Sequence, residues 1–159
     1  MIVVLDASTL INLANGETLG AILSLPGRRF LVSGAVRDES RSIATAIKEA
    51  VASGKLELVD DALITLRAFT EAKRALQLGD GETECILAAE QIGCSIACDD
   101  RAARDASIAR LGQARLTGSI GLLRLARQEG LLTRAAAFAS YELMRQRGGY
   151  LPNVAEQDF

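Results

Sequence analysis

The sequence predicts an α/β fold with a central parallel sheet covered by helices on both faces. Three observations predict it. Short apolar, β-branched runs alternate with longer segments of helical periodicity along the whole chain. No internal repeat, linker or composition break divides it. Acids stand directly after two of the apolar runs, Asp6 after the first and Asp99-Asp100 after a late one, where open parallel sheets place their sites. A chain of 159 residues, 49% hydrophobic and 24% charged, fits a single domain with one core, read as residues 1–150 followed by a short tail at 151–159.

Ile2-Val3-Val4-Leu5 is the kind of run that is buried on both faces of a sheet, and it puts Asp6 at its carboxyl end. Ser8 to Ala14 reads as a short helix with Ser8 as N-cap and Asn15-Gly16 as its stop. A second, Glu17 to Leu25, stops at Pro26-Gly27. Arg29 to Ser33 is the next strand, and Gly34-Ala35-Val36 leads into one long helix to Ala52, with Glu39 in its first turns. Leu56 to Val59 is a brief strand; Asp60-Asp61 caps a helix from Ala62 to Leu76.

After the loop Leu78-Gly79-Asp80-Gly81, Thr83 to Gln91 is a helix apolar on most sides and ended by Gly93. Cys94 to Cys98 is a strand, Asp100 to Leu111 a helix rich in alanine and arginine, and Ala114 to Thr117 a final strand. Gly118-Ser119 opens a helix to Gln128, and Thr133 caps the last one, to Arg147. Gly148-Gly149-Tyr150-Leu151-Pro152 leads to the tail.

Composition removes several function classes. There is no histidine, so no mechanism that needs an imidazole is available, and a structural zinc site has neither histidine nor a CxxC pair to build on. The three cysteines, Cys85, Cys94 and Cys98, lie on or beside apolar segments as reduced core thiols do. No apolar run reaches the roughly 18 residues of a membrane span, and Asp6 comes too soon for a signal peptide. The expectation is a cytoplasmic protein with no membrane partner. A Walker loop and a glycine-rich dinucleotide fingerprint are absent. The net charge of -2 is not the basic footprint of a nucleic-acid binder. Its distribution is uneven, however, with acids gathered between 80 and 105 and arginines loading the chain after Arg101.

Hard divalent ions such as Mg²⁺ or Mn²⁺ take oxygen ligands, and carboxylates brought together from separate strand ends supply them. Asp6, Glu39, Glu82 or Glu84, and Asp99 or Asp100 form such a set; without a cation they repel one another. A metal held there activates water against a phosphodiester. Each acid also has a plain structural role open to it. Asp6 can be an N-cap and Glu39 a dipole partner. Glu82 and Glu84, two apart on a helix, point about 200° from each other, so only one faces a given pocket. Arg101 and Arg104, about one turn apart, can meet phosphate or pair with Asp105 or Glu84. Ser8 can hold Asp6 or a metal's water, and Ser119 at a helix start can bind an anion or simply cap.

Asp6-Ala7-Ser8, Glu39, Gly81-Glu82-Thr83-Glu84-Cys85-Ile86-Leu87-Ala88, Asp99-Asp100-Arg101-Ala102-Ala103-Arg104 and Thr117-Gly118-Ser119-Ile120-Gly121 resemble, in that order, the PIN domain, most closely its DUF3368 branch of small prokaryotic proteins. The resemblance covers nearly the whole chain. It implies a three-layer α/β/α fold, an acidic site for Mg²⁺ or Mn²⁺, and cleavage of single-stranded RNA, often as the toxin of a toxin–antitoxin pair. It also implies a homodimer and a cognate antitoxin protein as partners; the apolar helices around Leu122, Leu123, Leu125, Leu131 and Leu132 offer surfaces for association, although core burial is the commoner fate of such leucines. Carried over residue by residue, it points to Asp6, Glu39, Glu84 and Asp100 as catalytic acids, with Glu82 and Asp99 beside them as metal ligands. Glu84-Cys85 matches the acid-before-small-residue pattern of the wider family, whereas the Gly-Glu signature of the branch marks Glu82.

Overall fold

A computed structural model describes residues 1–159. Its centre is a five-stranded sheet of β1 (Ile2–Leu5), β2 (Arg29–Val32), β3 (Glu57–Leu58), β4 (Ser95–Ala97) and β5 (Leu116–Thr117) in the order β3-β2-β1-β4-β5. Every pairing is parallel, and the helices complete the expected three-layer α/β/α arrangement. Val3, Val4 and Leu5 are fully buried, as a run of β-branched and leucine side chains on a doubly covered central strand must be.

Strand order reverses at β1, whose neighbours are β2 on one side and β4 on the other. Crossovers leave in opposite directions there and open a crevice at the carboxyl ends. The Asp6 N–H donates to the Ala97 carbonyl at 3.0 Å, so β1 and β4 stay in register to their last residues. Asp6 and Asp99-Asp100 are thereby set side by side at that crevice.

The helices are α1 (Ala7–Asn15), α2 (Leu19–Ile22), α3 (Gly34–Glu39), α4 (Ala44–Ala52), α5 (Leu66–Leu76), α6 (Asp80–Ile92), α7 (Arg101–Leu111), α8 (Ser119–Gln128) and α9 (Arg134–Gln146). Four departures from the sequence reading have identifiable causes. The cap of α1 is Asp6, not Ser8. The single helix expected from Gly34 to Ala52 is two, broken at Ser40, whose N–H donates to the Val36 carbonyl, and followed by a 3-10 turn at Arg41–Ile43. Two serines in four residues favour leaving a helix over continuing it. Asp60 caps only a 3-10 turn, Asp61–Leu63, and α5 starts after Thr65, which accepts from Ala68 N at 3.2 Å. Finally, α6 begins three residues early because Glu82 reaches back to the Gly79 N–H at 2.8 Å, the reciprocal half of a capping box with glycine at the N-cap.

Residues 151–159 pack against the domain. Phe159 is buried between Phe138 and Tyr141, at ring separations of 6.2 and 5.8 Å. The Arg124 guanidinium lies 5.8 Å over its ring and donates to the Asp158 carbonyl at 2.8 Å. The Tyr141 hydroxyl donates to the Pro152 carbonyl at 2.9 Å. Of the leucines read as association surface or core, Leu122 and Leu123 are core, Leu125 and Leu132 pack partly against it, and Leu131 is exposed.

Replacing this aromatic anchor removes a buried ring, so Phe159→Ala is expected to lower unfolding free energy by about 3 kcal/mol. Urea denaturation checks it; a change within about 0.5 kcal/mol, typical of surface sites, means that the ring does not hold the segment.

Candidate metal centre

Asp6 follows the buried β1 and caps α1, and this position withdraws its carboxylate from solvent to 1% exposure. One oxygen, Oδ2, accepts from Ser8 N at 3.2 Å, Ser8 Oγ at 2.6 Å and Cys98 Sγ at 3.4 Å. The other, Oδ1, is buried with no partner at all. Buried carboxylate oxygens are ordinarily satisfied, so a bare one marks a place where something else belongs.

Ser8 does more than support Asp6. Its hydroxyl donates to Asp6 and accepts from the Asp99 N–H at 3.0 Å, tying the ends of β1 and β4 together through one oxygen. Cys98 was legible in the sequence only as a core thiol. Burial, and after it the charge of Asp6, pushes its pKa upward, which keeps it a protonated donor to Asp6.

The paired aspartates divide. Asp99 turns inward and accepts from Asn12 Nδ2 at 2.8 Å, Ser119 N at 2.9 Å and the Ser119 hydroxyl in a short contact. It fastens α8 to α1 across the sheet end, and Ser119 is committed to it. A Cβ on Gly118 would stand 2.9 Å from the Cys98 carbonyl and against Asp99 itself, which is why that position has no side chain. Asp100 instead caps α7 through Ala103 N at 2.9 Å and is exposed.

The glutamates come from the opposite side of the crevice. Glu39, last in α3, accepts from Gly81 N at 3.0 Å, and its carboxylate fills the space where a Cβ of Gly81 would be. The glycine of the Gly-Glu segment is thus the seat of Glu39. Glu82 is half-buried, and its pKa is raised by that burial and then by the charges of Asp6, Asp100 and Glu39, against the lowering effect of the Gly79 N–H. One turn later on the same face, Cys85 Sγ donates to the Leu5 carbonyl at 3.6 Å, so this face looks at the carboxyl end of β1. Glu84 points elsewhere on the helix and accepts from Ala35 N at 2.9 Å, in the first turn of α3.

Asp6, Glu39, Glu82 and Asp100 therefore form one electrostatic group. None of them, nor Glu84 or Asp99, joins an ion pair. No three acidic or thiol side chains stand close enough to close on one ion as they are placed, and each glutamate spends one oxygen on a backbone N–H. The donor set nevertheless fits a hard divalent cation: it is all carboxylate, joins no ion pair, and includes a buried oxygen on Asp6 with no partner. Arg101 is exposed beside Asp100. Arg104 donates to the Cys98 and Thr117 carbonyls at 2.7 and 2.9 Å, binding β4 to β5 with the guanidinium that the sequence offered to phosphate.

Two outcomes follow for the metal-free protein. Gly81→Ala gains helix propensity of about 1 kcal/mol, but its methyl displaces Glu39, and overpacking of that kind costs roughly 1–3 kcal/mol. A net loss in urea titration is expected; a net gain means that Glu39 is free to move away. For Glu82 the sign runs through its raised folded pKa: ionisation costs more folded than unfolded, so the penalty is absent below the ordinary carboxylate range and complete above the raised value. In EDTA, Glu82→Gln should thus melt higher than the parent at pH 8, with the difference vanishing as pH falls below about 4. An advantage independent of pH contradicts the assignment.

No curated protein and no solved structure matches the chain. The sequence profile of DUF3368, described as a PIN domain, matches residues 2–156. Membership in that family suits the crevice of carboxylates at the β1–β4 switch point, since PIN domains are generally nucleases and usually use divalent metals: the chain belongs to the PIN domain family DUF3368.

Proposed function

We propose that the protein is a divalent-metal-dependent endoribonuclease that cuts single-stranded RNA. The observation that carries the reading is the buried, unpartnered Asp6 Oδ1 amid carboxylates that raise the pKa of Glu82 and have no cation to offset them. Mg²⁺ or Mn²⁺ would be held by Asp6, Glu82 and Asp100, with Glu39 completing the charge. Bound there, such an ion supplies an activated water and offsets charge on the phosphate.

The chain's own groups have separate tasks. Ser8 and Cys98 fix the Asp6 rotamer by holding Oδ2, which leaves Oδ1 buried and without a partner. Asp99 locks α1 and α8 so that the crevice keeps its width. Glu82 is preferred to Glu84 because it shares its face with Cys85 and feels the other three acids. The biological form of this reading is the toxin of a toxin–antitoxin pair, masked by a cognate protein; family membership supports it.

A specific observation favours a second reading, a non-catalytic binding module: Glu39, Glu82 and Glu84 each cap backbone N–H groups, and no three acids converge. It predicts no thermal response to metal and a purely salt-sensitive affinity for RNA.

Thermal shift and cleavage separate the two. Mn²⁺ at about 100 times its Kd stabilises by about 2.7 kcal/mol, and that rise should be lost in Asp6→Asn and Glu82→Gln but kept in Glu84→Gln. Cleavage of single-stranded RNA should fall to background in Asp6→Asn and Asp100→Asn with the fold intact. Cutting that survives both changes overturns the site. For the biological role, expression should arrest growth, and Asp6→Asn should relieve the arrest.

A further inference from the structure

Two clefts meet beside the acidic centre. One, of about 380 Å³, opens on Ser8, Asp99 and Asp100; the other, of about 560 Å³, leads away past Arg145 to residues 151–153. Each lies within the roughly 300–1,000 Å³ of ligand clefts. Asp99, Arg101 and Tyr150 line both, so any chain passing from one cleft to the other crosses these three side chains.

Tyr150 is 97% exposed and takes part in none of the molecule's aromatic contacts. Its backbone, in contrast, is fixed. Gly148 turns the chain at φ +94°, and the Gly149 N–H donates to the Met144 carbonyl at 2.8 Å. A Cβ at Gly149 would stand 2.6 Å from Asn12 Oδ1, and Asn12 is the residue that holds Asp99. Beyond Tyr150, the Pro152 carbonyl is anchored by the Tyr141 hydroxyl. A bare aromatic ring on an anchored turn, one residue from the site's own scaffold, is unexplained by packing.

The cations beside it are of two kinds. Arg145 is held in place, donating to the Tyr141 hydroxyl at 3.2 Å with its guanidinium 5.7 Å over that ring. Arg101 joins no ion pair. Two acids, Asp99 and Asp105, line the second cleft with them, and Asp99 is already engaged by Asn12 and Ser119.

We propose that Tyr150 is the stacking platform for a base of single-stranded RNA, with Arg101 and Arg145 contacting its phosphates, so that the strand runs along the second cleft and across Tyr150 into the acidic centre. The proposal rests on the ribonuclease reading and adds the direction from which substrate enters. Stacking needs an unpaired base face, which a duplex does not offer. Stacking also tolerates any base, so the platform positions the strand without selecting its sequence.

The test uses the full chain in EDTA with a short fluorescein-labelled oligoadenylate. Tyr150→Ala should weaken binding roughly 5- to 100-fold, while Tyr150→Phe stays within about twofold. Arg101→Gln and Arg145→Gln should each flatten the slope of log affinity against log salt by about 0.7. The chain has two tyrosines and no tryptophan, and Tyr141 is buried. Quenching of tyrosine fluorescence by the RNA therefore reports Tyr150, and should vanish in Tyr150→Phe while affinity persists. Equal affinity of the parent and Tyr150→Ala, equal affinity for a blunt duplex, or no binding at all overturns the proposal, even where metal-dependent cutting is intact. Tyr150-dependent binding without metal-dependent cutting overturns the nuclease reading and leaves the platform standing.

Discussion

Asp6 presents one carboxylate oxygen to three donors and the other to none, and almost everything around it follows from keeping that asymmetry at 1% exposure. Desolvating a carboxylate costs several kcal/mol unless its lone pairs are met. Ser8 and Cys98 meet those of Oδ2 only. A cation at Oδ1 would both complete the shell and relieve the repulsion among Asp6, Glu39, Glu82 and Asp100. The metal-free protein thus carries a local penalty at its switch point that the remainder of the core offsets.

The same economy of groups explains the glycines and arginines near the site. Gly81 and Gly118 lack side chains because the carboxylates of Glu39 and Asp99 occupy the space beside them. Arg104 lies next to the acids yet is spent on two strand-end carbonyls, which leaves the acids uncompensated. Arg101, exposed beside Asp100 and in no ion pair, is the cation left free at the rim.

The parallel sheet, the placement of Asp6 and Asp99-Asp100 at strand ends and the apolar α6 were all legible in the sequence, because continuous apolar runs followed by acids have few other uses in a chain that alternates strands and helices. What escaped was set by partners distant in the chain. Ser8 looked like a cap because capping is local, whereas its bond to the Asp99 N–H spans the sheet. Glu39, at the end of α3 just before the break at Ser40, meets Gly81, a contact no periodicity encodes. Within the acidic doublets the resemblance pointed to Glu84 and Asp100; Glu84 is engaged by Ala35 N and Asp99 by Asn12 and Ser119, partners that lie far off in the chain. Tyr150 carried no signal at all, since its setting depends on a glycine turn packed against Asn12.

Both outer strands, Glu57–Leu58 and Leu116–Thr117, are two residues long. An exposed strand edge recruits another strand only if it presents a row of free backbone groups, and two residues present almost none. The sheet therefore offers little in its own plane for another strand to pair with: its two-residue edges are the kind by which sheets are kept from growing sideways.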